Sequence, residues 1–178
     1  MCVTGPESTG KSVLAARLAE RFHAGLTEEC SRRYAAQKGT PLDVTDVLPI
    51  ARAQGEAEDA AIASVRAAGG TLLVLDTDLL STVVYARYYY GIAPPELLAA
   101  ERARRAELYL LCDVDVPWVA DGVRDRPDDR VGLHRRFARA LARRHAAVVP
   151  IAGDWPERRA TAEAAVAQLL TGDRSVAR

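Results

Sequence analysis

The sequence predicts an open α/β fold, a parallel sheet of about five strands with helices on both faces. Three observations predict it. A glycine-bearing loop, Gly5-Pro6-Glu7-Ser8-Thr9-Gly10-Lys11-Ser12, stands between a short apolar run and an amphipathic segment. Two further apolar runs, at 72–75 and 107–112, end in aspartates, Asp76 and Asp78 after the first and Asp113 and Asp115 after the second. That is the shape of buried parallel strands delivering carboxylates to a sheet edge. Long segments of helical periodicity separate these runs, and their lengths suit right-handed crossovers.

The bulk composition narrows the function classes. The 178 residues are enough for one domain with a real core. Lysine plus arginine and aspartate plus glutamate number 24 each, so no general nucleic-acid footprint is expected. Only Lys11 and Lys38 are lysines, the other basic residues being arginine, and one of the two sits in the glycine loop. A loop that must reach phosphates wants a compact cation there. Cys2, Cys30 and Cys112 are too few and too scattered for a disulfide scaffold or a zinc site, and His23, His134 and His145 lack metal-ligand spacing. Neither a signal peptide nor a long apolar span is present, so a cytoplasmic protein is expected. The glycine loop begins at residue 5, which predicts a stand-alone domain over 1–178 with little room for an upstream one.

In chain order, Met1 to Thr4 read as the first strand, and residues 11–23 as the first helix. Strand, loop, lysine, hydroxyl residue and helix together make a P-loop in its required context. Gly5, Glu7, Ser8, Thr9, Gly10, Lys11, Ser12 and Val13 are therefore the expected nucleotide contacts. Loop N–H groups and the helix N-terminus cradle phosphate oxygens. Lys11 can reach the β- and γ-phosphates, and the Ser12 hydroxyl can ligate Mg²⁺. Residues 26–29 read as a second strand, placing Glu29 and Arg32 at its exit, where open α/β sheets bind ligands. Glu29 can accept hydroxyl hydrogens and Arg32 can meet phosphate or carboxylate; the alternative is a local ion pair closing a helix start.

Residues 42–68 read as a long helix, interrupted near Pro49 and ended by Gly69-Gly70. Gln54 within it is a candidate acceptor contact, and its acidic residues read as a solvated face. The run at 71–78 reads as the acidic strand that accompanies a P-loop. Asp76 can hold Mg²⁺ or take the proton from an attacking hydroxyl. Asp78 can do either, or cap the next helix, expected over 79–89. A helix opened by Pro94-Pro95 follows to about Ala106, then a strand at 107–112. Beyond that strand come Trp118, Asp121 and then Arg124, Arg126 and Arg130 on a Gly/Pro/Asp-rich loop, so 121–130 reads as a lid whose arginines neutralise transferring phosphate. The alternative is solvated pairing with the neighbouring aspartates. A basic amphipathic helix at 133–146, with Arg135, Arg136, Arg139, Arg143 and Arg144 on a solvated face, leads to a last strand at 147–151. A final helix runs to about Leu170, and 171–178 reads as a frayed tail.

Taken together, the P-loop with its Glu-Ser-Thr interior, Glu29 and Arg32, Gln54, Asp76-Thr77-Asp78, and the Asp115, Pro117-Trp118-Val119, Asp121-Gly122, Arg124 series resemble the ribosylnicotinamide kinase domain of bifunctional NAD-salvage regulators. The resemblance covers nearly the whole chain. It implies a P-loop kinase fold with strand order 2-3-1-4-5, as in nucleoside monophosphate kinases. It implies ATP-dependent phosphorylation of the ribose 5′-hydroxyl of nicotinamide riboside, with Mg²⁺ as cofactor. By position, Lys11, Ser12 and Asp76 serve ATP, metal and the reacting hydroxyl. Glu29, Asp78 and Asp121 fall on the acceptor side, Trp118 becomes a platform for the nicotinamide ring, and Arg124, Arg126 and Arg130 become lid groups. Gly153 and Trp155, in the loop after the last strand, correspond to the adenine pocket of nucleotide kinases. The chain has Cys30 where the family commonly has an aromatic residue. Neither an adenylyltransferase portion nor a DNA-binding portion accompanies it, so no nucleic-acid or membrane partner is expected. The competing readings are a P-loop kinase for another nucleoside or nucleoside monophosphate, and a regulatory ATPase switch.

Overall fold

The computed structural model describes residues 1–118, 129–144 and 146–172. In chain order these form β1 (Cys2–Thr4), α1 (Lys11–Arg21), β2 (Gly25–Thr27), α2 (Cys30–Lys38), a 3₁₀ turn (Val44–Asp46), α3 (Val47–Ala67) and β3 (Leu73–Asp76). There follow α4 (Leu79–Tyr90), α5 (Pro95–Ala103), β4 (Leu108–Cys112), α6 (Arg130–Arg143), β5 (Ala147–Ile151) and α7 (Trp155–Thr171). The five strands make one parallel sheet in the order β2-β3-β1-β4-β5, as expected.

Side-chain alternation along the strands builds a core on each face. Val3, Val74, Leu110, Cys112 and Ile151 point to one face, under Leu14 and Leu18 of α1 and Ala162 and Val166 of α7. Cys2, Tyr109 and Leu111 point to the other, under Leu80 and Val84 of α4 and Leu133, Phe137 and Leu141 of α6. Phe137 has no solvent exposure and meets the Tyr85 ring edge-on, centroids 5.8 Å apart. Phe137→Ala should destabilise the fold by about 3–5 kcal/mol, read as a drop in thermal midpoint.

Several boundaries differ from expectation for local reasons. Pro49 does not interrupt α3, because it falls in the first turn, where no intrahelical N–H is needed. The 3₁₀ turn before it is closed by a capping box in which Asp43 accepts from Thr45 N and Asp46 accepts from Asp43 N. Helix α6 begins at Arg130, three residues before the expected Leu133, so Arg130 belongs to a helix and not to a loop. Of the segment expected to fray, Thr171 closes α7 and Gly172 caps it in the left-handed conformation, while 173–178 lie outside the described residues. Among the described residues no helix is long and apolar enough to cross a membrane.

Arg144 also departs from expectation. It was assigned to the solvated face of the basic helix, yet its side chain is only 7% exposed. It folds under α6 to donate to the Tyr109 hydroxyl at 2.6 Å and the Glu101 carbonyl at 3.1 Å, and pairs with the Glu101 carboxylate. A cation following the last turn of a helix suits the dipole there, and these oxygens replace its water.

Candidate active site

The glycine loop connects the carboxyl end of β1 to the first turn of α1. Gly5 has φ +133°, and a Cβ there would stand 2.7 Å from the Cys112 carbonyl oxygen, so only glycine passes β4 at this point. Three carbonyls of the loop are held by protein donors. Lys11 Nζ donates to Pro6 O at 2.6 Å, as does Thr9 Oγ1 at 2.8 Å. Arg130 donates to Ser8 O at 3.1 Å, and Arg158 to Thr9 O at 3.1 Å. The peptides of the described residues are all trans, so the N–H groups of Glu7, Thr9 and Gly10 point opposite to those carbonyls. Among the described residues no side chain caps α1, whose N-cap is Gly10, and the N-terminus of such a helix suits an anion. Glu7 is buried and accepts from the Tyr85 hydroxyl of α4 at 2.8 Å, which ties loop to helix. Ser12 and Val13 are exposed on the first turn.

Strand β3 delivers Asp76 beside this loop. Asp76 is buried, is hydrogen-bonded to Ser12, and has its Oδ1 without a hydrogen-bond partner. Burial pushes its carboxyl above the ordinary aspartate value, and the Glu29 charge adds to that, against the Ser12 bond and the Lys11 and Arg32 cations. Lys11, Ser12, Glu29, Arg32 and Asp76 therefore meet at the carboxyl ends of β1, β2 and β3. An orphaned carboxylate oxygen next to a hydroxyl, facing a phosphate loop, fits a hard cation such as Mg²⁺, which takes one or two protein oxygens alongside phosphate and water.

Thr77 separates the two aspartates with φ +69°, a left-handed conformation unusual for a β-branched residue. That kink sends Asp78 the other way. Asp78 caps α4, accepting from Leu80 N at 3.0 Å and Ser81 N at 3.4 Å, and takes the Tyr109 hydroxyl at 2.8 Å, with Arg144 at 3.9 Å. Its carboxylate is occupied by these structural partners. Of the expected alternatives the helix cap is the one observed.

Gln54 is engaged by protein partners in the same way. It is buried, accepts from Cys30 N at 3.2 Å and donates to Glu58 one turn on at 3.1 Å, so its oxygen joins α3 to the start of α2 while its nitrogen is held within α3. Through Cys30 N it holds the backbone next to Glu29. Glu29 itself accepts from Ser31 Oγ at 2.6 Å and stands 3.7 Å from Arg32, the local pair that was its alternative reading, while remaining close to Asp76.

Glu58, expected on a solvated face, is buried, with its carboxyl pushed up to about 7 by desolvation. Because its folded pKa lies above its ordinary 4.5, the folded state binds more protons between those values, and stability falls as pH rises from 4.5 to 7. Glu58→Gln removes the slope while keeping an acceptor for Gln54. The variant should gain on the wild type by on the order of 3 kcal/mol above pH 7 and by little near pH 4.5. Parallel melting curves across that range would refute the assignment.

Trp118 is half-buried past the end of β4, near Val116, whose carbonyl accepts from Arg130 at 3.0 Å. Arg130 is itself 9% exposed, its guanidinium on main-chain oxygens. Asp121, Arg124 and Arg126 lie outside the described residues, as does most of the expected lid at 121–130. Gly153 has φ +90° and donates its N–H to Asp115 at 2.5 Å. Trp155, 43% exposed, lies on Gly10, where an added Cβ would stand 2.5 Å from Cη2 of the ring. The loop after β5 thus adjoins the phosphate loop.

Tyr85 and Arg158 beside the site were missed by sequence reasoning, and Thr77 and Asp115 were named there as parts of motifs without a role. Of the two missed residues, Arg158 carried a readable signal: it falls on the buried stripe 158, 162, 165, 166 of α7, where a charged residue is out of place unless paired.

A five-stranded parallel sheet in this order, a phosphate loop feeding α1, and a buried aspartate at the adjacent strand end define a P-loop fold of the nucleotide-kinase type. A family model described as an AAA domain matches residues 1–158, and the chain belongs to that family. The Trifunctional NAD biosynthesis/regulator protein NadR of Escherichia coli (strain K12) is 29% identical over 128 residues, 70% of this chain and 30% of that protein. A crystal structure of NadR protein in complex with NR superposes with TM-score 0.81 and 26% identity, covering 97% of this chain and 51% of that one. A second, of NadR protein in complex with NAD and AMP-PNP, gives TM-score 0.77 and 26% identity, covering 97% and 49%. The chain thus spans about half the length of these solved relatives and, in the matched residues, under a third of the curated one.

Proposed function

We propose that this chain is an ATP-dependent kinase that phosphorylates the ribose 5′-hydroxyl of nicotinamide riboside, giving nicotinamide mononucleotide and ADP. The observation that carries the reading is the half-satisfied, buried Asp76 carboxylate set beside a phosphate loop, in a chain aligned over 97% of its length with a NadR solved with NR. The alignment with a NadR holding NAD and AMP-PNP supports ATP as the donor.

In this reading the N–H groups of the loop and of α1 bind the phosphates of ATP, and Lys11 moves from Pro6 O to the β- and γ-phosphates. Ser12 and Asp76 would hold Mg²⁺, which neutralises charge on the phosphate oxygens when bound. Asp76 also lies where it can take the proton of the attacking hydroxyl, a role its raised pKa favours. Glu29, with Arg32 beside it, faces the ribose hydroxyls, and the Trp118 ring supplies a π-face for a cationic nicotinamide. Asp121 on the acceptor side, and Arg124 and Arg126 as groups closing over ATP, rest on the sequence pattern alone. Arg130 would act through its bond to the phosphate loop at Ser8 O. A single domain over 1–178, a cytoplasmic location, and no nucleic-acid or membrane partner complete the proposal.

The test is a panel of nucleosides and nucleoside monophosphates offered to purified protein with ATP and Mg²⁺. Preference for nicotinamide riboside by kcat/KM is expected. Preference for another acceptor would keep the kinase and overturn the substrate. ATP hydrolysis stimulated only by a macromolecule would replace it with a regulatory switch.

A further inference from the structure

Among the described residues Arg158 is the largest side chain with almost no exposure, at 1%. A buried guanidinium is tolerated only where its donors are satisfied and its charge is met. Here four hydrogen bonds do so. Nε donates to Gly153 O at 2.9 Å, one terminal nitrogen to Thr9 O at 3.1 Å, and the other to Asp113 O at 3.2 Å and to the Asp115 carboxylate. These acceptors come from three separate pieces of chain: the phosphate loop, the exit of β4 and the loop leaving β5. The second Asp115 oxygen closes the ring by accepting from Gly153 N. Although burial pushes the Asp115 carboxyl up, the bonds from Gly153 and Arg158 outweigh it and hold it below the ordinary aspartate value, so it stays charged against the arginine.

Two features of this cluster face the nucleotide site. The Thr9 carbonyl belongs to the peptide whose other side is the Gly10 N–H, so the bond from Arg158 orients that N–H toward the concavity of the loop. Trp155 lies three residues before Arg158 at the start of α7, and its ring covers Gly10. The same guanidinium therefore sets the angle of a phosphate-facing amide and the height of an exposed aromatic face above it. No comparable bond runs from Arg158 to β2, α2 or β3, where Glu29, Arg32 and Asp76 sit.

We infer that Arg158, with Asp115, is the positioning pair of the donor side of the site, holding the Gly153–Trp155 wall in register with the phosphate loop so that a nucleoside triphosphate is bound at base and phosphate together. The inference rests on the phosphotransferase reading for its donor, and it assigns the acceptor side no share. Lysine cannot replace this fork, because a single ammonium lacks the planar spread that reaches all three segments.

The experiment compares wild type, Arg158→Lys, Arg158→Ala and Asp115→Asn. Binding of AMP-PNP is measured by calorimetry, and KM for ATP and for the acceptor by steady-state assay. Arg158→Lys should weaken AMP-PNP binding and raise the ATP KM about tenfold, with the acceptor KM unchanged within about twofold. Added methylguanidinium should restore part of the nucleotide affinity of Arg158→Ala. Asp115→Asn, which leaves the carbonyl bonds in place, should show a smaller effect of the same kind, and it carries the test if the Arg158 variants do not fold. Wild-type AMP-PNP affinity in Arg158→Lys, equal losses for donor and acceptor, or unchanged affinity in Asp115→Asn beside unfolded Arg158 variants would overturn the assignment. A wild type that binds AMP-PNP but phosphorylates no nucleoside would sink the proposed reaction and leave the binding comparison intact.

Discussion

Lys11→Ala is expected to lower kcat for phosphoryl transfer on the order of 10²–10³-fold while leaving the fold in place. The argument begins with what the side chain does for the protein alone. Lys11 is 5% exposed and donates a 2.6 Å bond to Pro6 O within its own loop. A bond of that kind contributes about 1 kcal/mol net, and Thr9 Oγ1 still holds the same carbonyl in the variant. The thermal midpoint should therefore move little. The charge is a different matter. In the transition state negative charge spreads over the transferring oxygens, in a site where low dielectric magnifies each fixed cation. Lys11 and Arg32 are the cations felt at Asp76, and Arg32 is half exposed and paired with Glu29. Removing Lys11 takes away the more buried of the two. Lys11→Arg should fail to rescue, because a longer planar group cannot occupy a cavity fitted to an ammonium. Turnover of Lys11→Ala within about threefold of wild type, with normal circular dichroism, would rule out the phosphate role.

The strands, the phosphate loop and the position of Asp76 were legible in the sequence because each is a local signal, whereas the order of the strands followed only from the family resemblance. Apolar runs that end in aspartate mark buried parallel strands, and Gly5 to Ser12 forms a motif whose neighbours confirm it. The illegible parts are decided by tertiary partners or by a single backbone angle. Asp76 and Asp78 read as twins, and only the left-handed Thr77 between them shows that one faces the phosphate loop and the other turns back to cap α4. Arg144 and Arg158 look like two more members of an arginine-rich surface, yet both are buried, because oxygens far away in sequence complete their shells. Gln54 and Glu58 lie on what reads as an exposed acidic helix, but α3 packs that face against α2 and α4. Tyr85 meets Glu7 across 78 residues, a pairing no periodicity encodes. Composition counts charges correctly and says nothing of which are buried.

Asp76→Asn is the second large effect, and it separates two roles that one carboxylate can play. The substitution keeps size and the ability to bond Ser12, while removing charge and basicity. A loss of general-base catalysis alone costs about 10²–10⁴-fold in kcat with little change in the Mg²⁺ concentration needed for half-maximal rate. A loss of metal ligation raises that concentration, because Asp76 Oδ1 is the buried carboxylate oxygen left without a partner beside Ser12. The pH profile adds an independent line. Burial lifts the Asp76 pKa above its ordinary 3.8, so the charged form is lost at a higher pH than for an exposed aspartate, and activity should fall as pH drops through that raised value. Both roles require the deprotonated carboxylate, so both predict this acid limb in the wild type and its absence in the asparagine variant. Substitution of Glu29 by Gln should move the limb back toward ordinary aspartate, since the Glu29 charge is part of what raises it. A limb unmoved in Glu29→Gln would place the titrating group elsewhere, and a limb that persists in Asp76→Asn would remove Asp76 from the chemistry.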